Sequence, residues 1–101
     1  SNRGITSIKN NMFKNFKNLE RLILRHNKIK SLDGKIFQGA KNLKYLDISY
    51  NFLKIIERKY FSECLSLEVF FATHNSIIEI KKNSFINSRN LNIVSFSYNP
   101  I

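Results

Sequence analysis

Acidic residues are scarce in this chain. Its 101 residues hold seven Asp and Glu against seventeen Lys and Arg, a formal net charge of +10. There is one cysteine, Cys64, and a lone thiol builds no disulfide framework and no metal cluster, so the redox compartment stays open. Three glycines, none in a phosphate-cradling pattern, exclude a nucleotide-binding loop of the glycine-rich kind. No apolar run approaches the roughly 20 residues of a membrane-spanning helix, so this segment is expected to make no membrane contact. The opening Ser1-Asn2-Arg3-Gly4 lacks the charged-then-apolar layout of a signal peptide, and the chain reads as a mature or truncated piece. No Asn-x-Ser/Thr glycosylation signal occurs. What is abundant is ordinary for a globular chain: 43% hydrophobic and 13% aromatic residues, enough to exclude disorder and to support one small domain.

The charge has two readings. A strongly basic chain suggests nucleic acid or an anionic surface. Yet Asn, Ile, Lys, Phe and Tyr are all abundant and all have A/T-rich codons, so genomic bias raises Lys without selection for polyanions. Placement of the charge decides between them, and placement follows from the repeat.

Asn27, Asn51, Asn75 and Asn99 recur every 24 residues, as do Phe13, Phe37, Phe61 and Phe85. A fixed period of this length signals a solenoid. Aligned on it, residues 19–29 read L-x-x-L-x-L-x-x-N-x-I. The next turn places Leu43, Leu46, Ile48, Asn51 and Leu53 at the same positions, the third Leu67, Phe70, Ala72, Asn75 and Ile77, the fourth Leu91, Val94, Phe96, Asn99 and Ile101. A partial turn over 1–18, with Ile5, Ile8, Phe13 and Phe16, precedes them. The chain resembles the leucine-rich-repeat family, in its 24-residue class with a Phe in the second half of each turn. The departures are Ala72 for a large aliphatic residue and Phe70 and Phe96 for leucines.

The resemblance implies an α/β solenoid: a right-handed superhelix with a concave parallel β-sheet and a convex side of irregular, 3-10 or short helical structure. The same pattern follows from chain physics. Around Leu22-Ile23-Leu24 the alternation turns the leucines inward and Arg21, Ile23 and Arg25 outward. The chain must then bend with its backbone groups inside the coil, and an Asn amide that both donates and accepts can satisfy them. Ile29, Leu32 and Phe37 continue inward, and Asp33-Gly34 and Gly39 mark bends. No turn buries its face alone, so stability comes from stacking. The whole of 1–101 reads as one array fragment, with repeats starting at 19, 43, 67 and 91 and no polar caps. In extracellular members of the family an Asn-Pro at the last ladder position commonly opens a cysteine-rich cap. Asn99-Pro100 fits that arrangement, but the cap's cysteines are absent. With both ends uncapped, self-association is expected.

No residue set reads as catalytic, cofactor-binding or metal-ligating. His26 and His74 are equivalent residues two turns apart, about 10 Å, too far to share an ion that holds ligands at about 2 Å. Cys64 aligns with Phe16, Ala40 and Ser88 and faces inward, a small hydrophobe rather than a nucleophile. Asp47 has no converging Ser–His pair.

The outward sheet positions are what remains free. Arg21, Tyr45, Val69 and Ile93 form one column. Ile23, Asp47, Phe71 and Ser95 form the next, then Arg25, Ser49, Thr73 and Ser97, then His26, Tyr50, His74 and Tyr98. Exposed Tyr45, Phe71, Val69 and Ile93 suit a protein interface, where aromatics and Arg anchor binding; they also satisfy strand propensity alone. The His26/Tyr50/His74/Tyr98 strip is either a contact strip or a row of solvated side chains at the strand ends. Charge on the face is balanced, with Arg21, Arg25 and Lys44 opposing Glu20, Asp47 and Glu68. The excess lysines, Lys28, Lys30, Lys35, Lys54, Lys59, Lys81 and Lys82, are expected on bends and the convex side, apart from the aromatics, which disfavours a nucleic-acid groove. The expected function is recognition of a protein ligand or co-receptor through the concave face. The resemblance implies an extracellular or cell-surface parent, since this repeat class is typical of receptor ectodomains, Toll-like receptors among them, and of secreted matrix and immune proteins. The alternatives are an intracellular (cytoplasmic) repeat scaffold and a polyanion binder using the basic convex side.

Overall fold

The computed structural model describes residues 18–32, 37 and 39–101, and the backbone of 7–8. The expectations for Ile5, Phe13, Phe16, Asp33, Gly34 and Lys35 lie outside the described residues. In chain order the elements are β1 (Ser7–Ile8), β2 (Arg21–Ile23), β3 (Ser31–Leu32), β4 (Tyr45–Asp47), β5 (Ile55–Ile56), α1 (Arg58–Phe61), β6 (Val69–Phe71), β7 (Glu79–Ile80) and β8 (Ile93–Ser95).

Strands β2, β4, β6 and β8 form a four-stranded sheet in that order, all parallel. Its register puts Arg21 beside Tyr45, Tyr45 beside Val69 and Val69 beside Ile93, so each strand advances by one 24-residue period. The returning chain makes two smaller parallel pairs, β1 with β3 and β5 with β7. The single-turn helix α1 lies on this returning side, between β5 and β6, with Tyr60 and Phe61 buried.

Period-2 alternation sorts the sheet as expected. Leu24, Leu46, Ile48, Phe70 and Ala72 are buried. Val94, in register with Phe70, is 41% exposed. Ile29, Leu53 and Ile77 form the next inward column, all buried, and Leu32 and Ile56 the one after. The phenylalanines close the coil from the far side. The Phe61 ring stacks on Phe37 at 5.9 Å and on Phe85 at 5.0 Å, and meets Phe70 edge-on at 5.1 Å. Phe70 also reaches Phe85 and Phe96. In its strand the larger-than-leucine Phe70 is accompanied by the smaller-than-leucine Ala72, which keeps the inward volume of the turn roughly constant, as a close-packed interior requires.

The asparagines bind successive turns. Asn51 Nδ2 donates to Leu24 O of the preceding turn at 3.0 Å and to Ile48 O of its own at 2.9 Å, while Asn51 Oδ1 accepts from Ile29 N at 3.1 Å. Asn75 repeats the arrangement with Ile48 O, Ala72 O and Leu53 N, and Asn99 with Ala72 O, Phe96 O and Ile77 N. Each amide thereby supplies partners to backbone groups that the bend would leave unpaired inside the coil. Among the described residues no buried side-chain nitrogen or oxygen lacks a partner.

Candidate interaction surface

The outward sheet positions converge on one patch. The Arg21 guanidinium lies 4.0 Å from the centre of the Tyr45 ring, and Tyr45 meets Phe71 edge-on at 5.8 Å. Val69 and Phe71 are half-buried and Ile93 is 49% exposed. Ile23 is half-buried at the opposite edge of the sheet. A cation over an aromatic face, with an edge-to-face ring pair beside it, holds these side chains in place.

Two expectations about this face need correction. Asp47, taken as an exposed charge, is buried at 5% exposure. Its carboxylate accepts from Ser49 N at 2.9 Å and pairs with Arg25 at 3.7 Å, so it turns the chain and anchors Arg25. Ser49, from the next column, is buried as well, and its hydroxyl accepts from Thr73 N at 3.0 Å. The outward half of the sheet is therefore partly consumed by lateral bonding between turns. Arg25 also sits 5.2 Å from the Tyr50 ring centre, which ties the ion pair to the neighbouring strip.

That strip is a continuous ring stack. His26 to Tyr50, Tyr50 to His74 and His74 to Tyr98 are separated by 4.4, 4.2 and 4.2 Å, with interplanar angles of 21°, 8° and 13°. All four residues have positive φ, between 54° and 62°. This left-handed conformation carries a steric cost for a residue with a Cβ. Here it turns the chain from strand to ladder while His26 N, Tyr50 N and His74 N still donate to Ser49 O, Thr73 O and Ser97 O of the next turn. The stacking explains the alternation of His and Tyr: each is a flat ring able to pile at one strand spacing. Sequence reasoning placed the four in one column but missed both the backbone conformation and the stack.

The returning side is differently charged. Lys59 approaches Glu57 at 4.0 Å and Lys81 approaches Glu79 at 3.3 Å, so part of its excess charge is neutralised locally. Lys28 departs from the expected separation of cations and aromatics: it shares one open cleft with His26, Tyr50, Phe52 and His74.

Cys64 is fully buried. Burial, reinforced by the nearby Glu63 charge, pushes its thiol up to about 12. Such a group stays protonated and unreactive at neutral pH. Tyr60 is likewise pushed up to about 12, first by burial and then by Glu57, to whose carboxylate its hydroxyl donates at 3.2 Å. Among the described residues no three His, Cys, Asp or Glu side chains come together as a metal site would require.

A family profile described as leucine rich repeat matches residues 1–51 and again 17–77. The chain belongs to the leucine-rich-repeat family. Its 24-residue period and parallel sheet are those of a leucine-rich-repeat solenoid. The fold is similar to that of a chain in the solved Toll–Spatzle complex, described as a molecular hub in Drosophila development and innate immunity. The TM-score is 0.90 at 22% sequence identity, over 93% of this chain and 12% of that one. No curated protein matches in sequence. Among the described residues no helix is long and apolar enough to cross a membrane.

Proposed function

We propose that this leucine-rich-repeat segment recognises a protein, a ligand or co-receptor, through the outward face of its four-stranded sheet, as part of an extracellular or cell-surface receptor of the innate-immune kind. The observation that carries the reading is the patch of Arg21, Tyr45 and Phe71, flanked by Val69 and Ile93. Buried positions answer to packing and the asparagines to backbone bonding, which leaves the outward strand positions free to encode recognition. Here they present aromatic and Arg side chains of the kind that dominate protein interfaces. The fold likeness to a chain of the Toll–Spatzle complex supports a receptor setting. Tyr98, 77% exposed at the end of the ring stack, extends the patch toward β8.

Four strands about 4.8 Å apart give a face of only a few hundred Å², below the roughly 800 Å² per partner of a standard interface. The chain should therefore be displayed multivalently, so that avidity offsets weak single contacts. Screened in this form against secreted proteins and ectodomains, it is expected to yield partners whose binding falls with Tyr45→Ala and Phe71→Ala and is unmoved by Lys81→Gln with Lys82→Gln. Loss only with the lysine changes, together with a steep decline as salt rises, would move the assignment to a polyanion on the convex side.

A further inference from the structure

Just beyond the asparagine ladder lies a flank that the concave-face reading does not use. Its three segments, 28–30, 52–54 and 76–78, alternate in the same sense. Ile29, Leu53 and Ile77 are buried. Lys28, Phe52 and Ser76 point outward on one side of them, and Lys30, Lys54 and Ile78 on the other. Backbone bonds hold the segments in line: Phe52 N donates to Ile29 O, Ser76 N to Leu53 O and Ile78 N to Lys54 O, each at 2.8 or 2.9 Å. Between this flank and the edge of the ring stack opens a cleft of about 400 Å³, walled by His26, Lys28, Tyr50, Phe52, His74 and two ladder asparagines.

Its chemistry is one-signed. Residues 26–30, 50–54, 74–78 and 98–101 contain no Asp or Glu. The ion pairs among the described residues are Arg25–Asp47, Lys44–Glu20, Lys59–Glu57 and Lys81–Glu79, and none involves Lys28, Lys30 or Lys54. The carboxylate next in sequence, Glu79, is engaged by Lys81. Large apolar groups lie among these cations: Phe52 is 48% exposed and Ile78 is 62% exposed.

We propose that this flank is a second binding surface, distinct from the concave patch, that takes an acidic protein segment bearing a large apolar side chain. The apolar side chain lies against Phe52 and Ile78, and the carboxylates meet Lys28, Lys30 and Lys54. Charge complementarity selects an anionic partner. The geometry of the rings selects a protein over a single-stranded nucleic acid. A base needs an open aromatic face on which to stack. In the His26–Tyr50–His74–Tyr98 pile the inner faces are occupied by one another, so of the rings that wall the cleft only Phe52 stands outside the pile, and successive bases find no row of open faces there.

The test is fluorescence anisotropy with the full chain at physiological salt. The probe is a labelled peptide of about ten residues, rich in Glu around a central Leu-Phe pair. The comparison probes are its Gln counterpart, an oligothymidylate of similar length and a heparin-derived hexasaccharide. The acidic peptide is expected to bind, and the Gln counterpart to bind at least tenfold more weakly. Lys28→Gln with Lys54→Gln should weaken the acidic peptide by roughly tenfold, a few-fold per partly exposed ion contact. Phe52→Ala should weaken it by about fivefold, and Tyr45→Ala with Phe71→Ala should leave it unchanged. Those two concave substitutions separate this proposal from the concave-face reading, which can fail without affecting it. Absence of peptide binding overturns the proposal. So does indifference to Phe52→Ala, or oligothymidylate or heparin binding as tightly as the peptide; either would leave only a diffuse cationic surface.

Discussion

Phe61→Ala probes directly what holds the solenoid together. The ring is 1% exposed and sits in the middle of the phenylalanine column, stacked on Phe37 and Phe85 and edge-on to Phe70 and Tyr60. Replacing a buried Phe by Ala typically costs about 3–5 kcal/mol, from lost transfer energy and the cavity left behind. Two features place Phe61 in the upper half of that range. Several ring contacts, each worth about 0.5–1.5 kcal/mol beyond area burial, vanish together. The cavity opens between turns whose backbones are tied by Asn51 and Asn75, so it cannot collapse easily. At about 4 kcal/mol, and an urea dependence of about 2 kcal/mol per molar, the unfolding midpoint should fall by about 2 M. For a domain whose total stability is about 5–15 kcal/mol, that is a large share of it. The assay is urea unfolding followed by far-ultraviolet circular dichroism. Phe52→Ala is the control, since Phe52 is half exposed and its loss should move the midpoint little. If Phe61→Ala and Phe52→Ala shift the midpoint equally, the column does not carry the stability and the stacking argument is wrong.

Three further outcomes follow from particular bonds and groups. Asn51→Ala removes donors to Leu24 O, Ile48 O and Ser49 O and the acceptor for Ile29 N, and should destabilise by about 1–3 kcal/mol in the same unfolding assay; a neutral result would show that the bend is satisfied without the ladder. Tyr50→Gly and Tyr50→Ala both lose the ring stack, but only Ala keeps a Cβ at a φ of 60°, so the Ala variant should be less stable than the Gly variant by about 1 kcal/mol; the reverse order would refute the left-handed assignment. The Cys64 thiol, raised to about 12 in the folded chain against 9.0 ordinarily, ionises first in the unfolded state, so stability should be unaffected below about pH 9 and decline as pH rises from there toward 12. Cys64→Ala should flatten the share of that decline that belongs to the thiol, and native-state alkylation at pH 8 should be far slower than in urea.

The two outward faces differ in how far the sequence alone could describe them. The columns that hold Arg21, Tyr45, Val69 and Phe71 were legible because strand alternation and a constant 24-residue period fix register without any side-chain geometry. The same period aligned the asparagines and phenylalanines, and with them the sheet, the ladder and the core. Alternation tells which way a side chain leaves the backbone, not whether its neighbours then cover it. Asp47 leaves outward and is buried all the same, because Ser49 N and Arg25 close over its carboxylate. The ring stack depends on four positive φ values, which no hydrophobic pattern encodes for residues other than glycine. The joining of Lys28 and Phe52 to those rings depends on how sharply the chain turns at the ladder. By itself, then, the sequence determined the repeat, the register and the buried columns, since these follow from periodicity and burial alone. Only the tertiary structure decided which outward groups are free to meet a partner, because that depends on contacts between turns 24 residues apart rather than on the order of residues within any one of them.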